Sequence, residues 1–109
     1  DARLYTTRLH GEPPGGLSAT YGSAPGAVDA AKEYVGRGLC ETARWFVDGQ
    51  PYALGEYFGT ADILLVSCLD WASTMHVVLP IPLGDYRDRI ALRPAYIQAA
   101  VQNRPPRSI

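Results

Sequence analysis

The sequence predicts an all-α domain, a bundle of about five helices around a buried central helix. Three observations carry this. Val28, Ala31, Val35, Leu39, Ala43 and Phe46 recur at steps of three and four, the spacing of one helix face. A nearly unbroken apolar run, "ADILLVSCLDWA", follows Gly59 and Thr60 and carries an acid, Asp62, at its head. No segment alternates apolar and polar residues over strand length.

The chain has 109 residues, read as one domain over 1–109, with a hydrophobic fraction of 47% that is too high for disorder. A domain of this size buries about two-thirds of its unfolded surface, so a true core is possible. Net charge is −1, pI is about 6.1 and no basic stripe is visible, which argues against nucleic acid as a partner. The longest apolar run, Ile63 to Leu69, is interrupted by Ser67 and too short to span a bilayer, so no membrane partner is expected. No signal peptide is visible, and the expectation is a cytoplasmic chain. It begins at Asp1 rather than Met, and is read as a processed product or a piece of something longer.

In chain order, residues 2–10 read as the tail of a helix, with Leu4, Tyr5 and Leu9 as its apolar stripe and Gly11 as its stop. Residues 11–24 hold four glycines and two prolines and are expected to form an irregular, functional or mobile loop. Pro25 suits the first turn of a long helix running to about Asp48, with Asp29 near its positive end and Gly49 as its stop. Residues 49–57 form a turn-rich connector.

Gly59 is the expected N-cap of the central helix. Asp62 then occupies the third helical position, where its carboxylate reaches back to free N–H groups of the first turn. Phe58 before the cap and Ile63 at the fourth position have the spacing of a hydrophobic staple. Asp62 therefore has a structural reason, and Asp62 and Phe58 are assigned to capping. The helix runs to about Met75 and is apolar nearly all round, which predicts burial on every side. His76 is expected to cap its C-terminus. A short helix over 83–91 turns Tyr86 and Ile90 inward. Pro94 starts the last helix, and 103–109 make a frayed tail.

The two cysteines, Cys40 and Cys68, match no metal or redox spacing. They read as small core residues in a reducing compartment, the alternative being a reactive thiol or a disulfide. Two histidines without clustered cysteines argue against a metal site. Tyr5, Tyr21, Tyr52 and Tyr57 supply aromatic surface with no base-stacking pattern.

The stretch "FGTADILLVSCLDWA" resembles the buried central helix of the helical C-terminal domain of glutathione S-transferases, whose motif is Phe-(Ser/Thr)-x-Ala-Asp. Phe58, Ala61 and Asp62 match. Gly59 stands where the family has a capping hydroxyl. "DGQPYALGEYF" is similar to the connector before that helix, "YRDRIALRPAY" to the family's closing stretch, and "ATYGSAPGAVDAAKEY" to the approach to the second helix in bacterial members. "LYTTRLHG" is similar to the end of the first helix of the domain in beta-class bacterial enzymes. The resemblance covers nearly the whole chain.

The resemblance implies a role for several residues. His10 stands where those enzymes place a histidine beside the thiol of glutathione, and Gly11 where they often have lysine. Arg3 stands where a polar residue reaches glutathione in the partner subunit. Trp71 matches a tryptophan walling the pocket for the hydrophobic co-substrate. Tyr5, Thr6 or Thr7 (Thr7 being the one assigned to the site), and Met75 are expected beside them. The implied function is the substrate-binding domain of a glutathione transferase and the implied assembly a homodimer. Glutathione is the co-substrate, held mainly by a thioredoxin-like domain that these residues cannot form, and a small hydrophobic electrophile is the other partner. No group of this chain is expected to activate the thiol by itself. Two other readings stand beside this one. The chain could be a transferase-like helical module for protein association, or a structural bundle whose resemblance is patterning. The plain residue reading makes His10 a C-terminal helix cation, Trp71 core and Arg3 a solvated charge.

Overall fold

A computed structural model describes residues 2–105, and the expected frayed tail beyond Pro105 lies outside them. Six α-helices follow in order: α1 (Ala2–His10), α2 (Ser18–Tyr21), α3 (Pro25–Ala43), α4 (Thr60–Thr74), α5 (Ile81–Ala91) and α6 (Pro94–Gln102). A 3-10 turn, Arg44–Phe46, continues α3. No strand occurs among the described residues, and no helix there is long and apolar enough to cross a membrane.

The helix starts follow the local chemistry. Proline occupies the first turn of α3, α5 and α6, where a missing N–H costs nothing. Pro82 thus fits inside α5, which starts at Ile81 and not at Leu83. The expected α3 stripe is the observed one: Val28, Ala31, Val35, Leu39 and Ala43 are buried, and Phe46 after them. Regular helix ends at Ala43, short of Asp48, and the chain reverses at Gly49 with φ 80°. Asp29 lies beyond the first turn of α3, outside the reach of the dipole effect. The loop expected over 11–24 contains one helical turn, α2.

The core joins α1, α3, α4 and α5. Leu4, Val35, Leu39, Phe46, Val66, Leu69, Leu83, Tyr86 and Ile90 form it, and burying each large apolar side chain contributes about 1.5–3 kcal/mol. The Phe46 and Tyr86 rings meet at 4.5 Å.

The central helix departs from expectation. Asp62, Val66, Leu69 and Ala72 are its buried stripe, while Ile63 and Leu64 are 56% and 64% exposed. The overall dimensions, 44 × 36 × 19 Å, give the reason. A thickness of 19 Å holds two layers of helices, each about 10 Å across, so every helix keeps a face outside. Cys40 is likewise exposed on the outer face of α3, one residue past the inward Leu39, and Cys68 is partly buried. Tyr5 is 57% exposed, and the buried positions of α1 are Leu4 and Thr7.

Asp62 organises the junction of three segments. Gly59 is the N-cap, and its N–H donates to Asp62 Oδ2 at 2.9 Å while Asp62 N–H donates to the Gly59 carbonyl at 3.0 Å. Asp62 Oδ1 accepts from Ala53 N–H at 2.8 Å and from the Tyr86 hydroxyl at 2.6 Å. The carboxylate thus fixes the connector, the start of α4 and α5 at once. Burial pushes its pKa up. The Tyr86 hydroxyl, the Ala53 and Gly59 amides and the Arg93 charge outweigh that and hold it below the usual carboxylate value. Tyr86 is pushed far above its ordinary range, first by burial and then by the hydrogen bond and negative charge of Asp62, against an opposing pull from Arg89. Phe58, paired with Ile63 by sequence spacing, meets the Tyr52 ring edge-on at 5.8 Å and lies under the Arg93 guanidinium at 3.8 Å.

Candidate functional site

The end of α1, the start of α3 and the end of α4 flank a cavity of about 540 Å³ that is open to solvent on one side. Its shape begins with the loop after α1. Leu17 N–H donates to the Arg8 carbonyl at 2.8 Å, Ser18 N–H to Gly11 at 3.1 Å and Ala24 N–H to His10 at 3.4 Å, so the loop satisfies carbonyls the helix end leaves open. Glu12 accepts from Ser18 at 3.1 Å and Ser23 at 2.5 Å, which ties the two ends of the loop together. Gly16 passes so close to Gly11 that a Cβ there would collide with the Gly11 carbonyl group.

The end of α4 is closed by a Schellman motif. Val77 N–H donates to the Ala72 carbonyl at 2.9 Å and His76 N–H to Ser73 at 3.0 Å. His76 holds the left-handed position, φ 63°, where glycine is usual. Its backbone thus terminates the helix, and its side chain lines the cavity.

Both histidines of the chain line this cavity, with Thr7, Met75, Lys32 and Asp29. His10 Nδ1 lies 2.8 Å from the Gly22 carbonyl oxygen. A carbonyl oxygen only accepts, so Nδ1 carries a proton, and Nε2 is the ring nitrogen that faces no protein partner among the described residues. Thr7 is buried at 3% exposure and its hydroxyl donates to Arg3 O at 3.2 Å, which leaves its hydroxyl oxygen as an acceptor. The cavity therefore offers imidazole, ammonium and carboxylate groups around a soft, buried Met75 wall.

The other candidate residues fall elsewhere. Tyr5 and Trp71 pair edge to face with centroids 4.6 Å apart, and neither lines the His10 cavity. Trp71 is partly buried against the core and not enclosed. Arg3 lies over the Tyr34 ring at 4.0 Å. The structure thus brings His10, Thr7 and Met75 together and sets Tyr5 with Trp71 apart from them. His76 as a cavity residue was missed by sequence reasoning. Its only signal was its place after an apolar helix with no glycine to end it.

A second polar cluster also escaped the sequence. Asp70 accepts from Arg87 Nε and from the Tyr96 hydroxyl, the latter at 2.7 Å, joining α4, α5 and α6. Bonding to Asp70 raises the pKa of both Arg87 and Tyr96. No set of three metal-ligating side chains gathers among the described residues. No protein-family model, no curated protein and no solved structure matches the chain.

Proposed function

We propose that this chain is the helical substrate-binding domain of a glutathione-transferase-type enzyme, with the His10 cavity on the side facing the thiol and its apolar co-substrate. The observation that carries the reading is the cavity itself. It lies between the end of the first helix and the end of the central helix, and His10 lines it with its Nδ1 tied to the Gly22 carbonyl. The buried Asp62 behind the Gly59 N-cap supports it, because the resemblance of "FGTAD" implies an acid in the first turn of that helix.

The residues present suit glutathione in kind. Lys32 and His76 can meet carboxylates, Asp29 and Glu12 an ammonium, and Met75 and Val28 an apolar substituent. Bound glutathione would supply a thiol able to add to an electrophile. The part of this chain is narrower. His10 Nε2 can accept a hydrogen bond from that thiol, and Nδ1, tied to Gly22, fixes the ring. The chain alone is expected to give no conjugation of a chromogenic electrophile above the solution rate.

The test is an amide-shift titration of the 109-residue protein with S-hexylglutathione. Saturable shifts centred on Thr7, His10, Met75 and His76, reduced in His10→Ala, support the reading. Absence of shifts there, or turnover by the chain alone, overturns it.

A further inference from the structure

A second cavity, about 460 Å³, lies between α4 and α6. Its origin is the composition of α6. That helix buries no residue, and it turns Ala95, Ala99 and Ala100 to the groove with Tyr96 and Asn103. Alanine is too short to reach α4, so the helices are bridged by the Tyr96–Asp70 hydrogen bond across an open channel. Phe58, Ile63, Val66 and Ile90 form the opposite wall. The volume falls in the range of about 300–1,000 Å³ that small-molecule sites occupy.

The charges along the groove select its ligand. Asp70 is spent on Arg87 and Tyr96. Arg93 also lines the groove and forms no ion pair among the described residues. Its neighbouring acid, Asp62, already accepts from three donors and meets Arg93 through space only. The guanidinium carbon lies over the Phe58 ring, 3.8 Å from its centroid, and the group has one long bond, 3.4 Å, to the Tyr52 hydroxyl. A planar fork held in place with most of its donors unused matches a carboxylate. A cation at one end and apolar walls along the rest fit a single chemistry.

We propose that the α4–α6 groove binds an apolar monocarboxylate, an aliphatic or aryl acid, with its carboxylate on Arg93 and its tail along Ala95, Ala99 and Ile63. This site shares no lining residue with the His10 cavity and does not depend on the transferase reading.

The experiment is calorimetric titration of the full 109-residue protein with decanoate, decanol and decyltrimethylammonium, with amide shifts recorded in parallel. Decanoate should bind one per chain, with shifts on α6 and at Phe58. The ammonium with the same tail should bind at least about tenfold more weakly, and Arg93→Gln should weaken decanoate about tenfold while leaving decanol unchanged. Ala99→Leu, on an exposed helix face, fills the groove and should abolish both; it serves as the second variant should Arg93→Gln disturb folding. Non-saturable uptake, equal affinity for both head groups or shifts centred on His10 would overturn the proposal. A groove closed by a second copy of the chain, opened to monomers by Ala99→Glu and blind to decanoate, would also overturn it.

Discussion

The Tyr86 hydroxyl donates to Asp62 Oδ1 at 2.6 Å, and the two side chains are 0% and 1% exposed. An acid placed to start a helix therefore also satisfies the one polar atom of a core tyrosine. Asp62→Ala removes the cap and strands the Tyr86 hydroxyl and the Ala53 amide. The expected cost is about 2–4 kcal/mol, more than a cap alone. Tyr86→Phe leaves the two backbone donors on the carboxylate and should cost about 1–2 kcal/mol. Urea denaturation of both single variants and the double variant reads this, with the double variant less destabilised than the sum. An unchanged midpoint for Asp62→Ala would refute the structural role.

The same pair sets the pH limits of the fold. Asp62 titrates below its ordinary value of 3.8 when folded. Its contribution is fully present above 3.8, and is lost as pH falls from there through the folded value. Tyr86 titrates far above its ordinary 10.0 when folded. Below 10.0 both states keep the proton; above it the unfolded chain releases it first, so stability falls as pH rises. Tyr96, bonded to Asp70 and less buried, adds a weaker effect of the same sign. Melting temperature against pH should show both shoulders. Asp62→Asn should flatten the acid one and Tyr86→Phe most of the alkaline one.

His76 sits at φ 63° with an ordinary side chain. Glycine relieves the left-handed strain but loses more chain entropy on folding, so His76→Gly should stabilise by about 0.5–1 kcal/mol at most. His76→Val should destabilise, because a branched Cβ tolerates that conformation least. A lower melting temperature for the glycine variant would show that the imidazole holds the helix end through contacts of its own. If His76→Gly is more stable yet weakens the S-hexylglutathione shifts, the strain serves the cavity and not the fold.

How far the sequence could be read depended on the distance over which each residue acts. The α3 stripe and the Gly59–Asp62 start of α4 were legible because their partners lie within one helical turn. Tyr86 as partner of Asp62, 24 residues away, was not. Nor were Arg87 and Tyr96 as partners of Asp70, 17 and 26 residues away. The apolar run of α4 suggested burial on all sides. Periodicity reports how apolar a face is, not whether a second layer covers it, and Leu64 has no such layer. Cys40 was misplaced on composition alone, although it falls one step off the Leu39 stripe and could have been set outside. The turn at Ser18 formed in a loop rich in glycine because tertiary bonds from Leu17 and Ser18 to the end of α1 outweigh weak local propensity. His10, Thr7 and Met75 were expected together and lie together, while the link to Trp71 needed side-chain directions that spacing does not give.

Helix α6 contributes no buried residue, and Ile97 and Val101 stand 51% and 58% exposed. A helix of nine residues is marginal by itself in water, where isolated helices need more than about 12–15. Its attachment rests on the half-buried Tyr96, whose ring packs on the core and whose hydroxyl donates to Asp70. Tyr96→Phe keeps the ring and removes only that bond. Amide exchange in α6 should then accelerate several-fold, while α4 and α5 keep their protection and the global midpoint shifts by less than about 1 kcal/mol. Asp70→Asn keeps an acceptor but loses the charge that holds Arg87, so it should loosen α5 as well. If Tyr96→Phe leaves α6 exchange unchanged, the alanine face packs on α4 more closely than the 460 Å³ groove allows.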